Sequence, residues 1–449
     1  MKSIQQLRAT FEKCDDRIIT LVISLAAFLC YTSMYAFRKS FTAANFDEME
    51  LFGIHLKVLL VITQMLGYML SKFYGIRFIS EMNNMSRGKV LITLICISWF
   101  GLLGFAITPS PYNIFFMLIN GFPLGMIWGL VFSYLEGRKN TELMGATMAV
   151  SLVFASGLVK TTGRWLITDF GINEYWMPFL VGLIFFVPFI LCVAILEISP
   201  KANNEDQKLR NERIPMTKDM RKKLLRSFFP GITLTIIIYT LLTVLRDVRD
   251  NFEVEIWQML HLKGAGIFAK VDGTITIIIL IMISLLIYVK DNTKAFKLIH
   301  YQILIGFIIM GSSTLLYTNN TLDGLSWMIL VGLGLYMAYI PYNAIFFERM
   351  IATFRIKGNI GFIMYLADSI GYLFSFLVLI NKELIPSEVS WGAYFIDLVL
   401  FVSSVGIFLV IFSLSYFIRK GKKSIYPKND STNLDKQNTA ITNLNFINN

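Results

Sequence analysis

Two tyrosine–arginine pairs are spaced so that they could hold a ligand together. Tyr31 precedes Arg38 by seven residues, and Tyr239 precedes Arg246 by seven. Seven residues are about two helical turns, so each pair would share one face of a helix. An arginine presents a planar donor fork that matches carboxylate or phosphate, and two such forks meeting at one point would suit an anion with several oxygens. Three further charges, Lys72, Lys270 and Asp368, interrupt apolar runs. A charge at membrane depth is costly, and it marks either a partner or a water-filled path. The simplest account of Lys270 and Asp368, both in the second half of the chain, is that they neutralise each other. Lys39 is expected to snorkel to the interface. Arg164 is expected to anchor beside Asp169, and Asp247, Arg249 and Asp250 to form local salt bridges at an outer rim. Lys160 and Asp397 receive no firm role.

Other chemistry has little to rest on. The four cysteines (Cys14, Cys30, Cys96, Cys192) form no CxxC pair, and His55, His261 and His300 are isolated. No disulfide framework, metal site or cofactor is indicated. An ATP-binding Gly-x-x-x-x-Gly-Lys segment is missing too, so primary pumping is not expected, and for want of any clustered His, Asp or Cys a membrane enzyme is the least supported class.

The elements that must position these residues are membrane helices. Of 449 residues, 55% are hydrophobic and 16% charged, against roughly 25% charged in soluble proteins. The apolar residues fall into blocks of about twenty, the length an ~30 Å hydrocarbon core requires. Twelve spans are expected: 18–41, 54–79, 90–107, 112–135, 143–167, 175–198, 229–248, 264–289, 299–317, 325–347, 358–380 and 394–418. They divide into a first six-helix bundle (1–198), a basic linker (199–228), a second six-helix bundle (229–418) and a polar, Asn-rich tail (419–449) expected to be disordered. The linker carries nine Lys/Arg. The tail adds Arg419, Lys420, Lys422 and Lys423, while the loops on the opposite side hold only a few acids. Basic loops face the cytoplasm, so both termini are expected there. The same bias accounts for the net charge of +11 without a nucleic-acid partner.

Six helices, a basic loop and six more helices is the layout of the parallel repeats in the major facilitator fold. Within that layout the sequence resembles the organophosphate:phosphate antiporters, which exchange glycerol 3-phosphate or hexose phosphates for phosphate. YAFRKSF (35–41), YMLSKF (68–73), GFPLGMIW (121–128), the Leu245-Arg246 pair and SIGYL (369–373) are similar to that family's segments, in order. The resemblance implies that Arg38 and Arg246 clamp a phosphoryl group, with Lys72 as a third cation and Tyr35 and Tyr68 in the cavity wall. There are departures. Phe154 stands where the family has a histidine, Lys270 where it has a glutamate, and Ser80-Glu81-Met82 where it has Ser-Asp-Arg.

The expectation is therefore an all-α, multi-pass protein of a bacterial inner membrane, acting as a monomer on a small anion. The substrate site would hold Arg38, Arg246, Lys72, Tyr35, Tyr68, Tyr31, Tyr239, Lys270 and Asp368. Exchange of a phosphorylated metabolite for phosphate leads. A proton-coupled organic-anion symporter, with Asp368 or Asp397 taking the proton, and a metabolite sensor without flux are the alternatives.

Overall fold

A computed structural model describes residues 8, 11, 13–46, 50–51, 53–81, 86–136, 138, 140–200, 218–262, 264–354, 360–384 and 389–425. Among them twelve long helices follow in order. The first six are α1 (Asp16–Lys39), α2 (Leu56–Glu81), α3 (Arg87–Ile107), α4 (Ile114–Leu135), α5 (Thr141–Thr168) and α6 (Met177–Ile198). The second six are α7 (Lys218–Asn251), α8 (Ile267–Ile287), α9 (Asn292–Thr318), α10 (Gly324–Ala344), α11 (Ile360–Leu384) and α12 (Trp391–Ile425). Ten of these have the length and hydropathy to cross a membrane. The other two, α2 and α11, have 26 and 25 residues, enough at 1.5 Å per residue to exceed the hydrocarbon core. The only strands described form a small hairpin, Glu50–Leu51 against Ile54–His55, between α1 and α2.

Helix starts follow local chemistry. Asp15 accepts from the Arg17 N–H at 2.7 Å at the head of α1. Asp291 and Asp323 do the same for α9 and α10, each accepting two backbone N–H groups. Those N–H bonds hold both loop carboxyls below the usual carboxylate range. Large apolar side chains such as Phe100, Val187, Leu285 and Phe408 point outward and are exposed, as a lipid-facing surface requires.

Small residues set the helix spacing. A Cβ on Gly125 of α4 would lie 2.7 Å from the Tyr68 carbonyl of α2, and one on Gly67 of α2 would lie 2.5 Å from the Leu118 carbonyl. The backbones of α2 and α4 are therefore in direct contact, and this contact fixes the height at which Tyr68 and Lys72 project. Gly306 and Gly334 bring α9 and α10 together in the same way. The two six-helix halves meet through α5 against α8 and α10, and through α2 against α11.

Most expected spans lie within a few residues of the observed helices. The seventh does not. It starts at Lys218, inside the segment read as linker, and bends at Phe228, whose φ/ψ of −121°/19° is non-helical. Residues 218–227 are rich in Lys and Arg, yet Leu224 and Leu225 pack inward. Likewise α12 runs on through Ile425. The tail beyond it, and linker residues 201–217, lie outside the described residues.

Candidate functional site

A cavity of about 280 Å³ lies between the halves. The first half contributes Tyr31, Tyr35 and Arg38 from α1, Tyr68 and Lys72 from α2, and Trp128 and Phe132 from α4. The second contributes Tyr239 and Arg246 from α7, Tyr339 and Tyr342 from α10, and Asp368 and Tyr372 from α11. It extends past Glu136 and Glu348, near the ends of the helices that the basic loops place on the cytoplasmic side.

Its centre is a cluster of cations around two phenol rings. Tyr68 and Tyr372 meet across the halves with centroids 5.2 Å apart. The Arg38 guanidinium lies 4.0 Å from the Tyr68 centroid, Lys72 Nζ 5.3 Å from it, and Arg246 5.4 Å from that of Tyr372. Cations over phenol faces are held by the ring quadrupole. The carboxylates then divide the cations unequally. Lys72 makes a short ion pair with Asp368 across the halves. Arg246 donates Nε and Nη2 to Asp247 Oδ1 at 3.1 and 2.6 Å, and Asp247 Oδ2 accepts from Ser375 at 2.7 Å. Arg38 has no carboxylate or hydrogen-bond partner for its guanidinium among the described residues. A hydroxyl relay joins the other two pairs: Arg246 donates to Tyr339, whose hydroxyl lies 3.1 Å from that of Tyr239, and Tyr239 donates to Asp368 Oδ1 at 2.5 Å.

Arg38 is positioned from behind by a buried amide hub. Gln64 donates to the Arg38 carbonyl at 2.8 Å and to Asn120 Oδ1 at 2.6 Å. Asn120 in turn donates to the carbonyls of Phe37 and Ser98 at 3.0 and 2.9 Å. Four helices, α1 to α4, are tied at this point, and the end of α1 cannot shift without breaking these bonds.

Beyond the cavity, toward the outer face, the halves are sealed by ion pairs of a single polarity. Lys39, Lys57 and Lys160 come from the first half, and Asp250, Glu253 and Glu255 from the second. Lys39 meets Asp250 at 3.0 Å and Lys57 meets Glu255 at 2.5 Å. Lys160, fully buried, meets Asp250 at 3.1 Å and Glu253 at 2.7 Å. Behind them Arg249 holds Asp272 at 2.8 Å. A Cβ on Gly157 would sit 2.5 Å from the Phe268 carbonyl, so α5 and α8 touch backbone to backbone here. On the inner side Arg349 pairs with Glu142 across the halves at 2.8 Å.

Eight of the nine residues expected at the site line this one cavity. The exception is Lys270, which is exposed in the first turn of α8. Its supposed pairing with Asp368 is replaced by Lys72–Asp368, because α2 and α11 face each other across the halves while Lys270 stands at the rim. Asp272 does not partner it either, being buried on Arg249. Lys39 does not snorkel: it is 4% exposed and bonded to Asp250 and to Asn251. Arg164 donates to the Ala43 carbonyl instead of anchoring on Asp169. Asp397 is exposed on α12, outside the cavity, and Phe154 packs on Phe28 with centroids 5.6 Å apart. Sequence reading passed over Tyr372 and Trp128, although both stand inside quoted motifs. Tyr372 stands one turn from Asp368, and Trp128 packs edge-on against Tyr31.

Comparison with curated proteins gives no match. Among solved structures the chain resembles a D-xylose–proton symporter, with a TM-score of 0.59 and 14% identity over 88% of this chain and 96% of that one. It also resembles a human organic anion transporter (TM-score 0.55, 13% identity, 90% and 100% covered). A bacterial homologue of the human drug peptide transporters aligns with a TM-score of 0.58 at 11% identity, over 91% and 100%. These likenesses establish the major facilitator fold. A family profile also matches residues 40–420, and by that match the chain belongs to DUF5690, a family of unknown function.

Proposed function

We propose that the chain is a secondary transporter of a bacterial inner membrane, moving a small organic anion by alternating access between its two halves. The observation that carries this is Arg38: a buried guanidinium lining a cavity between the halves, with no carboxylate among the described residues to neutralise it. A permanent charge at this depth is retained where a ligand completes it. The aromatic wall suits the organic body of such an anion, and the volume, about 280 Å³, lies just below the ~300–1,000 Å³ typical of small-ligand pockets, which favours a small one. The outer ion-pair seam and the inner Arg349–Glu142 pair give the halves two surfaces to open in turn.

The finer reading is exchange of a phosphorylated metabolite for inorganic phosphate. It is supported by the ordered motif resemblance and by three cations gathered around Tyr68 and Tyr372. The test is binding and counterflow. Purified protein in liposomes loaded with phosphate should exchange it for a phosphorylated metabolite, and Arg38→Lys should abolish binding while the protein still inserts, because an ammonium cannot reproduce the bidentate fork. Near-normal binding by Arg38→Lys would remove Arg38 from the site, and flux without a counter-anion would replace exchange by symport.

A further inference from the structure

The cavity contains two ion pairs that differ in how available they are. Arg246–Asp247 is closed: two guanidinium nitrogens reach one carboxylate oxygen, and Ser375 holds the other. Lys72–Asp368 is open to a ligand. Both members line the cavity, with side chains 9% and 18% exposed, and they come from opposite halves. With both pairs formed, Arg38 is the one uncompensated cation among the described residues lining the centre. A monoanion is met by Arg38 alone. The second charge of a dianion can be met only by Lys72, which stands over the same Tyr68 ring as Arg38.

We propose that a dianion displaces Asp368 from Lys72 and that Asp368 then takes up a proton, so the site accepts a dianion together with one proton and a monoanion without any. This rests on the anion-transporter reading. Once Lys72 turns to the ligand, Asp368 keeps only the hydrogen bond from Tyr239. The groups facing it are Lys72 and Tyr68 from α2, Tyr239 and Arg246 from α7, Tyr339 from α10 and Tyr372 on its own helix. Arg246 is committed to Asp247, so no second cation is available. A carboxylate buried without a counter-charge is relieved by protonation. The balance is simple: one proton passes from solvent to Asp368 Oδ2, and no bond other than the ion pair is broken. Because the bound state holds one more proton, dianion affinity falls as pH rises, by roughly tenfold per unit once free Asp368 is ionised.

The test uses the full chain and two probes that stay ionised at every working pH, benzenesulfonate and benzenedisulfonate. Any proton taken up must therefore go to the protein. Titration calorimetry in two buffers of different ionisation enthalpy should give about one proton bound per disulfonate and none per monosulfonate. Asp368→Asn should bind the disulfonate without proton uptake and without pH dependence. Disulfonate binding with no proton uptake, or proton uptake that persists in Asp368→Asn, overturns the proposal. So does refusal of the disulfonate while the monosulfonate binds. If the Asn variant does not fold, the unmodified protein decides, since a disulfonate affinity that is flat with pH also overturns it. Binding of neither probe overturns the anion-site reading itself, and this proposal with it.

Discussion

Replacing Lys160 by Met should unlock the outer face. The ammonium of Lys160 is fully buried and makes three contacts: Glu253 at 2.7 Å, Ser156 at 2.8 Å and Asp250 at 3.1 Å. Two of the three, the acids Glu253 and Asp250, belong to the opposite half. Breaking a buried pair outright costs ~3–5 kcal/mol, but here neither acid is stranded. Asp250 keeps Lys39 at 3.0 Å, and Glu253 keeps Arg249 at 3.7 Å and the Trp257 N–H at 3.3 Å. What is lost is a set of charge-assisted hydrogen bonds worth ~1.5–3 kcal/mol. The two bonds to the acids exist only with the outer seam shut, since opening exposes the same groups to water. About 2 kcal/mol is therefore removed from the outer-closed state alone, shifting the equilibrium roughly thirtyfold toward outer-open forms. The readout is the rate at which an impermeant maleimide, added from outside, labels Tyr35→Cys in sealed vesicles. Labelling should rise by about that factor in the Lys160→Met background. An unchanged rate, in protein that still folds and inserts, would mean that the seam does not gate access.

Two other changes probe the scaffold and the rim. Gly125→Ala should cost ~1–3 kcal/mol by overpacking, because its Cβ would lie 2.7 Å from the Tyr68 carbonyl and 2.8 Å from the Ser71 side chain. Thermal unfolding in detergent reads the loss, and weaker anion binding should accompany it as Tyr68 and Lys72 are displaced. Lys270→Ala, at an exposed position outside the cavity, should leave anion binding unchanged and stability within ~0.5 kcal/mol. A marked loss of binding there would return Lys270 to the site.

How far the molecule could be read in advance depended on which forces were local. Apolar block length fixed twelve helices, because the bilayer imposes a length on any spanning segment. Where a helix continues into a Lys- and Arg-rich segment, as at 218–227 and after Ile418, apolar block length did not mark its end. The seven-residue spacing put Tyr31 with Arg38 and Tyr239 with Arg246 on common faces, and all four reach the cavity. Partners across the halves could not be read, since no local pattern states which faces of the two bundles meet. Asp368 was therefore assigned a cation in its own half, when its partner is Lys72. Lys39 was read as a snorkelling residue because its acid, Asp250, is more than two hundred positions away. Asp247 was read as a local salt-bridge partner and does pair with its neighbour Arg246, whereas Asp250, read the same way, pairs with Lys39 and Lys160 of the other half.

Among the described residues, the ion pairs of the outer seam draw their lysines from the first half and their acids from the second. Two copies of the first half would bring ammonium against ammonium, and two copies of the second would bring carboxylate against carboxylate. Each bundle is thus sticky only toward its unlike sibling, and the chain carries its own rule against mispairing while twelve helices sort themselves in the bilayer. It follows that the two bundles, made as separate polypeptides, would find each other, and that reversing the sign of one face would be tolerated only if the other face were reversed with it.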